Sequence, residues 1–301
     1  MVRVQSFDSN CLPQLTLLVN LHLGAVMPGW GLTEPFLARL LERDDFEPIT
    51  DPWVAERATL CAIDRRRIVA ATHLLRYGDD PTVGSDYRGA GEIGWLVAFP
   101  ECGDAAAAVL SAARERMASW LVTRELGWGS GFSVGPLWGV PENWPHIAAV
   151  LLAAGYAPDP SHHGEALYGG WLDGIPAPAE PPVAGLTVQR VVGPYETRLS
   201  ALLDGQEIGR CDVQSDLSRS GMLPALRGWG WLTDLRIEEP WRNRGVGSCL
   251  VGHAVQWLRL AACDRVVLSV DAASEAAGAG RFYQRLGWDV FTQQTHVCRR
   301  G

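Results

Sequence analysis

The sequence predicts an α+β protein of two successive domains, each a mixed, mostly antiparallel twisted sheet flanked by helices. Three observations lead to this class. The chain has 301 residues, which is comfortable for two domains of about 150 residues each. A proline-rich segment interrupts it past the middle. The order of strands and helices predicted after that segment also repeats much of the order before it.

The proline-rich segment is LDGIPAPAEPPVAG, residues 172–185, with prolines at 176, 178, 181 and 182. Such a stretch cannot continue a helix or a central strand, and it favours an extended conformation. The sequence therefore predicts a first domain over residues 1–172, a linker over 173–185 and a second domain over 186–301.

The second half predicts the order β-β-β-β-α-β-α-β. Two of its strands read as a hairpin that turns at Asp204 and Gly205, a favoured pair for a tight turn. Apolar residues at helical spacing follow over 245–263. A buried strand over 265–270, a second helix over 275–287 and a last strand over 288–300 complete the half.

The first half predicts much of the same order. It contains a strand (2–7), two helical stretches (12–26 and 34–43), a hairpin (56–78), a strand (92–99) and a long helix (105–126). Its ending, HIAAVLLAAGYAP, resembles RFYQRLGWDV of the second half, because each segment reads as a helix followed by a strand. This indicates an internal duplication in which the second copy lacks the two first helices.

Charge is distributed unevenly along a chain that contains no lysine. Residues 1–185 carry 12 arginines and 22 acidic residues, a net charge of −10, whereas residues 186–301 have a net charge of +2. No broad basic face is expected, which argues against a nucleic-acid partner. The acidic half is compatible with attracting a cationic small molecule, although an acidic surface that only keeps the chain soluble is the simpler explanation.

The seven cysteines are scattered and never occur in a CxxC spacing. Reduced thiols in a cytoplasmic protein explain them better than disulfides or zinc. No apolar run approaches the ~20 residues of a membrane helix, and the N-terminus lacks the pattern of a signal peptide. We therefore expect a cytoplasmic protein with no membrane partner and no metal.

The segment PWRNRGVGSCL, residues 240–250, lies where a predicted strand turns into a helix. Glycines at such a junction leave backbone N–H groups uncovered at the positive end of the helix dipole, and this arrangement binds phosphate. The Walker pattern is absent, and the dinucleotide pattern would need glycine at Leu250. For a bare Gly-x-Gly, an ordinary strand-to-helix turn would be the simpler explanation.

The wider context resembles the GCN5-related N-acetyltransferase (GNAT) family. That family carries an [RQ]-x-x-G-x-[GA] loop after its fourth strand, which Arg242, Gly245 and Gly247 match. It also has a tyrosine in an LYxxxGF helix, which Tyr283 and Gly287 match within RFYQRLGW. The resemblance covers residues 186–301, and the motifs arrive in the family's order and at its distance.

The resemblance implies acetyl-CoA as co-substrate. It places the pyrophosphate on the loop amides and the pantetheine along the preceding strand. The implied coenzyme-binding residues are Leu235, Arg236, Ile237, Arg242, Asn243, Arg244, Gly245, Val246, Gly247 and Ser248. It also implies Tyr283 as the general acid for the leaving thiolate, although Tyr283 lies beside the apolar side of its helix and a packing role is the alternative.

The general base is less clear. Many relatives place a glutamate eleven positions before the first arginine of the loop, and here that position is Trp231. Asp234 is the preferred candidate, followed by Glu238, since strand alternation puts both on the face opposite Leu235. Glu239 and Asp271 are further candidates. Solvated carboxylates at a strand end explain Asp234 and Glu238 equally well.

The first half resembles the same fold, but its loop AFPECGDAAAAV has no arginine and puts Glu101 and Asp104 where phosphate should lie. We expect a degenerate copy without coenzyme that shapes the substrate site, with Glu92 as a remnant at the base position. The expected partner is a small amine, such as a cationic metabolite or antibiotic. The alternatives are a non-catalytic acyl-CoA-binding or regulatory protein, another acyl-CoA donor or a protein acceptor. A homodimer is compatible with the sequence.

Overall fold

The structure is a computed structural model that describes residues 2–45, 47–126, 137–160, 162, 164–175, 180–219 and 221–299. The chain forms two compact units. The first comprises Met1–Glu165 together with Thr292–Gly301, and the second comprises Ala166–Phe291. Among the described residues, no helix is long and apolar enough to cross a membrane. All seven cysteines are free thiols.

The first unit has a five-stranded sheet in the order β1-β2-β3-β4-β5. Helices α1 and α3 pack on this sheet through contacts with β3. Its strands are β1 (Arg3–Ser6), β2 (Val54–Asp64), β3 (Arg67–Tyr77), β4 (Ala90–Ala98), β5 (Arg124–Glu125), β6 (Val140–Pro141) and β7 (Tyr156–Pro158). Its helices are α1 (Leu12–Val26), α2 (Glu34–Glu42), α3 (Gly103–Ser119) and α4 (Pro145–Ala153).

The second unit has the strand order β14-β8-β13-β12-β11-β10-β9, and α5 packs on β10, β11 and β12. Its strands are β8 (Glu165–Trp171), β9 (Thr187–Val192), β10 (Thr197–Leu203), β11 (Gln206–Gln214), β12 (Trp229–Ile237), β13 (Arg265–Asp271) and β14 (Asp289–Thr295). Its helices are α5 (Val246–Leu260), α6 (Ala272–Ala276) and α7 (Ala279–Arg285), and the chain ends with β15 (Val297–Arg299).

The compact units differ from the predicted domains 1–172 and 186–301 at both ends of the second unit. Strand β8, which precedes the linker, lies between β13 and β14 of the second unit. The last residues of β14 pair with β6, and β15 pairs with β7, all within the first unit. Each half of the sequence thus supplies a strand to the other compact unit, which a boundary drawn at the proline-rich segment does not anticipate.

The central strands of the two units share a β-bulge at matching positions. The pairing of β3 with β4 shifts at Gly94, and the pairing of β11 with β12 shifts at Thr233. In the second unit a short turn joins β9 to β10, where the first unit inserts α1 and α2. Both findings agree with the predicted duplication and with the absence of two helices from the second copy.

Two predicted details of the second unit have different outcomes. The hairpin turn forms at Asp204 and Gly205, which adopt φ of 49° and 78°, so that prediction is confirmed. The predicted single helix over 275–287 is two helices, α6 and α7, because Gly278 between them has φ of 100°. This left-handed conformation interrupts a helix and suits glycine.

Two buried histidines in the first unit predict an acid-sensitive fold. His22 donates from Nδ1 to the carbonyl of Leu18 at 2.9 Å, and its Nε2 lies 3.1 Å from Nε2 of His146. Burial lowers the pKa of His22 to about 4. Burial, followed by the charge of Arg57, lowers the pKa of His73 to about 3.

Because both histidines stay neutral in the folded protein, their contribution to stability is complete above pH 6.5 and is lost as the pH falls toward 4. Each should remove about 2 kcal/mol of unfolding free energy between pH 7 and pH 5. Urea titrations at the two pH values measure this loss. The loss should shrink in His22→Gln, because glutamine cannot take up the proton; an equal loss in His22→Gln would contradict the assignment.

Candidate functional site

The phosphate-type loop lies between β12 and α5, as the sequence predicts. A 3-10 turn over Glu239–Trp241 is followed by Arg242, and Asn243 has φ of 59°. Gly245 is the N-cap residue of α5, with φ of 82° and no side-chain hydrogen bond to the first turn. The first N–H groups of a helix have no acceptor within the helix. With no capping side chain over them, they form a positive site at the helix entrance that suits an anion.

Three arginines surround this loop. Arg242 donates from Nε to the carbonyl of Ile237 at 3.0 Å, and the guanidinium carbon of Arg244 lies 5.2 Å from the centre of the Trp241 ring. Arg236 forms an ion pair with Glu238 at 3.4 Å. Each of the three arginine side chains thus has one contact beside the loop. The side chains of Arg242 and Arg244 remain exposed.

The glycine at position 247 leaves a gap between β12 and α7. A Cβ on Gly247 would lie in ordinary contact, 3.7 Å from Cγ1 of Ile237 and 3.9 Å from Cζ of Phe282, so a methyl group would occupy this space and a larger side chain would crowd it. Val246 is buried, and only its backbone can face a ligand. Ser248 is exposed, and Asn243 with its positive φ holds the turn.

Strand β12 is open beside this gap. It pairs with β13 only from Trp229 to Trp231. Within the part of the chain that the structure describes, residues 232–237 pair with β11 alone. The bulge at Thr233 in the pairing of β11 with β12 lies two residues after Trp231, the last residue of β12 that pairs with β13. Leu235 and Ile237 pack on the core that carries α5, and in the described residues the edge of this segment toward β13 has no strand partner.

Tyr283 lies in the same unit and is 6% exposed. Its ring stacks on Trp288 at 5.7 Å between centroids and contacts Phe282 edge-on at 5.1 Å. Burial raises the pKa of the Tyr283 hydroxyl well above its usual value, with further contributions from Cys211 and the charge of Asp234. The phenol therefore keeps its proton at neutral pH, as a proton donor must.

The candidate bases lie on the face of β12 opposite Leu235 and Ile237. Asp234 is 40% exposed and forms an ion pair with Nε of Arg210 at 2.9 Å, and Glu238 is half-exposed beside Arg236. Asp271 is instead a helix cap, since it accepts hydrogen bonds from the backbone N–H and hydroxyl of Ser274. Those bonds lower its pKa, which makes Asp271 a poor base.

Two residues near Tyr283 were not anticipated from the sequence. Tyr168 of β8 is buried, its ring lies 6.0 Å from the Tyr283 ring, and its hydroxyl donates to Glu275. The sequence of β8, which precedes the linker, does not indicate which sheet this strand joins. Glu275 lies eight residues before Tyr283, and this short distance along the sequence is the signal that could have identified it.

The corresponding region of the first unit is built differently. Four residues, 99–102, join β4 to α3, and Glu92 accepts a hydrogen bond from the Tyr77 hydroxyl at 2.6 Å. A groove of about 480 Å³ lies between α3 and α4, lined by Gly103, Asp104 and His146 among others.

In the described residues, no group of three or more His, Cys, Asp or Glu side chains could hold a metal ion. Of the two adjacent histidines at 162 and 163, His163 lies outside the described residues.

Residues 184–288 match the family model described as Acetyltransferase (GNAT) family. A sequence comparison with curated proteins gives no match. Among solved structures, the chain is similar to a GCN5-related N-acetyltransferase from Sphaerobacter thermophilus, with 15% identity and a TM-score of 0.62 over 100% of this chain and 96% of that one. It is also similar to a tandem GNAT protein from the clavulanic acid biosynthesis pathway, with 13% identity and a TM-score of 0.60 over 99% of this chain and 98% of that one.

A third similar structure is the GCN5-related glucosamine N-acetyltransferase region of a fungal multi-domain β-N-acetylglucosaminidase. The identity is 15% and the TM-score 0.62, over 99% of this chain and 38% of that one. At these identities the structures establish the fold. The whole chain therefore has the fold of two tandem GNAT-like domains.

Proposed function

We propose that residues 184–288, which match the family model described as Acetyltransferase (GNAT) family, form a domain that transfers the acetyl group of acetyl-CoA to a primary amine. The observation that carries the proposal is one arrangement in the second unit. An uncapped helix entrance, a strand opened at a bulge and a buried tyrosine occur together there.

The residues present fit the coenzyme. The first-turn amides of α5, with Arg242 and Arg244 beside them, suit a pyrophosphate. The open backbone of Leu235, Arg236 and Ile237 suits the amides of a pantetheine arm. Acetyl-CoA supplies the thioester whose acyl carbon the amine attacks directly. A backbone N–H of β12 would stabilise the charge that develops on the thioester oxygen.

Tyr283 and Asp234 take the two proton-transfer roles in this proposal. The Tyr283 phenol donates a proton to the departing thiolate. Asp234 is the base that removes a proton from the acceptor amine, because its carboxylate is 40% exposed on the face of β12 opposite Leu235 and Ile237. Glu238 is the second candidate, farther along the same face.

The proposed acceptor is a small amine, with a cationic metabolite or antibiotic favoured by the acidic first half. The rival function is a non-catalytic acyl-CoA-binding protein. It is supported by Trp231, which occupies the strand position where a base would otherwise stand and is half-buried there. The two functions share the coenzyme site and differ in turnover.

Release of free thiol from acetyl-CoA over a panel of small amines tests the proposal. We expect turnover with at least one amine. Asp234→Asn should lower kcat/KM by about 10²-fold or more, and the matched variant Glu238→Gln should change it by less than about tenfold. Tight coenzyme binding without turnover on any amine would favour the binding protein instead.

A further inference from the structure

Strand β8 brings a buried tyrosine to the helices that follow β13. The Tyr168 hydroxyl donates a hydrogen bond to Oε1 of Glu275 on α6, and only 1% of Tyr168 is exposed. Burial and the hydrogen bond to Glu275 raise the pKa of Tyr168 to about 12. The hydroxyl therefore remains a donor to Glu275 across the neutral range.

The second carboxylate oxygen of Glu275 is also buried. In the described part of the chain Oε2 has no hydrogen-bond partner. A buried carboxylate oxygen without a donor is unfavourable for folding. The carboxylate is held in this position by Tyr168, so the two side chains act as one unit.

This pair lies directly against the helix that carries Tyr283. A Cβ on Gly280 of α7 would overlap the Tyr168 hydroxyl and both carboxylate oxygens of Glu275. The absence of a side chain at Gly280 thus lets α7 approach the pair closely. The centroid of the Tyr168 ring also lies 6.0 Å from that of the Tyr283 ring. The Tyr283 ring in turn stacks on the Trp288 ring.

We propose that Tyr168 and Glu275 form a positioning pair that sets the location of α7, and with it the Tyr283 hydroxyl, relative to the open strand β12. The pair fills the space over Gly280 and supports the Tyr283 ring. The catalytic domain is then incomplete without a side chain from the sequence before the linker. This inference rests on the proposed function in so far as it assigns Tyr283 a catalytic task.

The first test compares Tyr168→Phe with Tyr195→Phe, since Tyr195 is 87% exposed. Tyr168→Phe keeps the ring but removes the donor to Glu275. We expect kcat to fall on the order of 10- to 100-fold, with little change in KM for acetyl-CoA and a loss larger than any change in the folded fraction. Amide hydrogen exchange within α7 should become faster. Tyr195→Phe should leave kcat, KM and exchange unchanged.

A second set of variants keeps the inference testable if Tyr168→Phe folds poorly. Glu275→Gln keeps an acceptor for Tyr168 and should retain kcat within a few-fold, whereas Glu275→Ala should resemble Tyr168→Phe. Because the two residues act as one unit, the double variant should be no worse than the worse single variant. Gly280→Ala should speed α7 exchange, and Gly174→Ala, where a Cβ meets open space, should not.

Wild-type kcat and α7 exchange in Tyr168→Phe, or additive losses in the double variant, would overturn the inference. If the wild-type protein turns over no amine, the proposed function fails, and the exchange measurements still decide whether the pair holds α7.

Discussion

A fragment of residues 186–301 is expected to remain unfolded or to aggregate. Without residues 165–171, β13 and β14 lose the strand that lies between them. The fragment also loses the buried Leu167 and Tyr168 and leaves two sheet edges exposed. Burial of two such side chains contributes about 3–6 kcal/mol, a large part of the 5–15 kcal/mol that stabilises a domain. Circular dichroism and thermal unfolding of the fragment measure this effect.

The matched fragment is residues 165–301, which restores β8 and otherwise differs only by residues 172–185. It should unfold cooperatively at a temperature above that of any transition in the shorter fragment. Cooperative unfolding and a dispersed amide spectrum from residues 186–301 alone would show that β8 is dispensable and that the boundary at the linker is adequate.

Replacement of Tyr283 by phenylalanine should lower kcat by about 10²-fold or more, since it removes the proposed general acid and leaves the ring in place. Because burial holds the pKa of Tyr283 above its ordinary value, the wild-type hydroxyl stays protonated as the pH rises. We therefore expect no alkaline decline in kcat from this residue below about pH 10. Steady-state thiol release between pH 6 and pH 10 measures both effects.

Phe282→Leu serves as the control, because Phe282 neighbours Tyr283 in the same helix and has no ionisable group. It should disturb packing without removing the proton donor, so its kcat should exceed that of Tyr283→Phe. Equal kcat values for Tyr283→Phe and the wild type would remove the acid role and leave Tyr283 as a packing residue.

Local features of the second unit were predictable from sequence because short-range chemistry determines them. Asp204 and Gly205 favour a tight turn wherever they occur. The loop from Arg242 to Gly247 combines glycines with arginines at a strand-to-helix junction, and it lies where predicted. The break at Gly278 was missed because the apolar spacing continues across it, although the glycine itself was a signal.

The placement of β8 could not be predicted in the same way. The alternation of a strand's residues tells which face is buried but not which strands flank it. Leu167 and Tyr168 would read the same in either unit. The pairing also joins residues separated by the linker and by the whole of β9 to α5. For this reason the contact of Tyr168 with Glu275 emerged only from the structure.

Titration calorimetry with acetyl-CoA tests the central claim most directly, because it asks whether the entrance of α5 binds a diphosphate. The wild-type protein should bind one equivalent per chain. Gly247→Val, which crowds the space between Ile237 and Phe282, should weaken binding by about tenfold or more, and Gly174→Val, where a Cβ meets open space, should not. No heat from the wild-type protein, or equal affinity after Gly247→Val in a folded protein, would contradict the account.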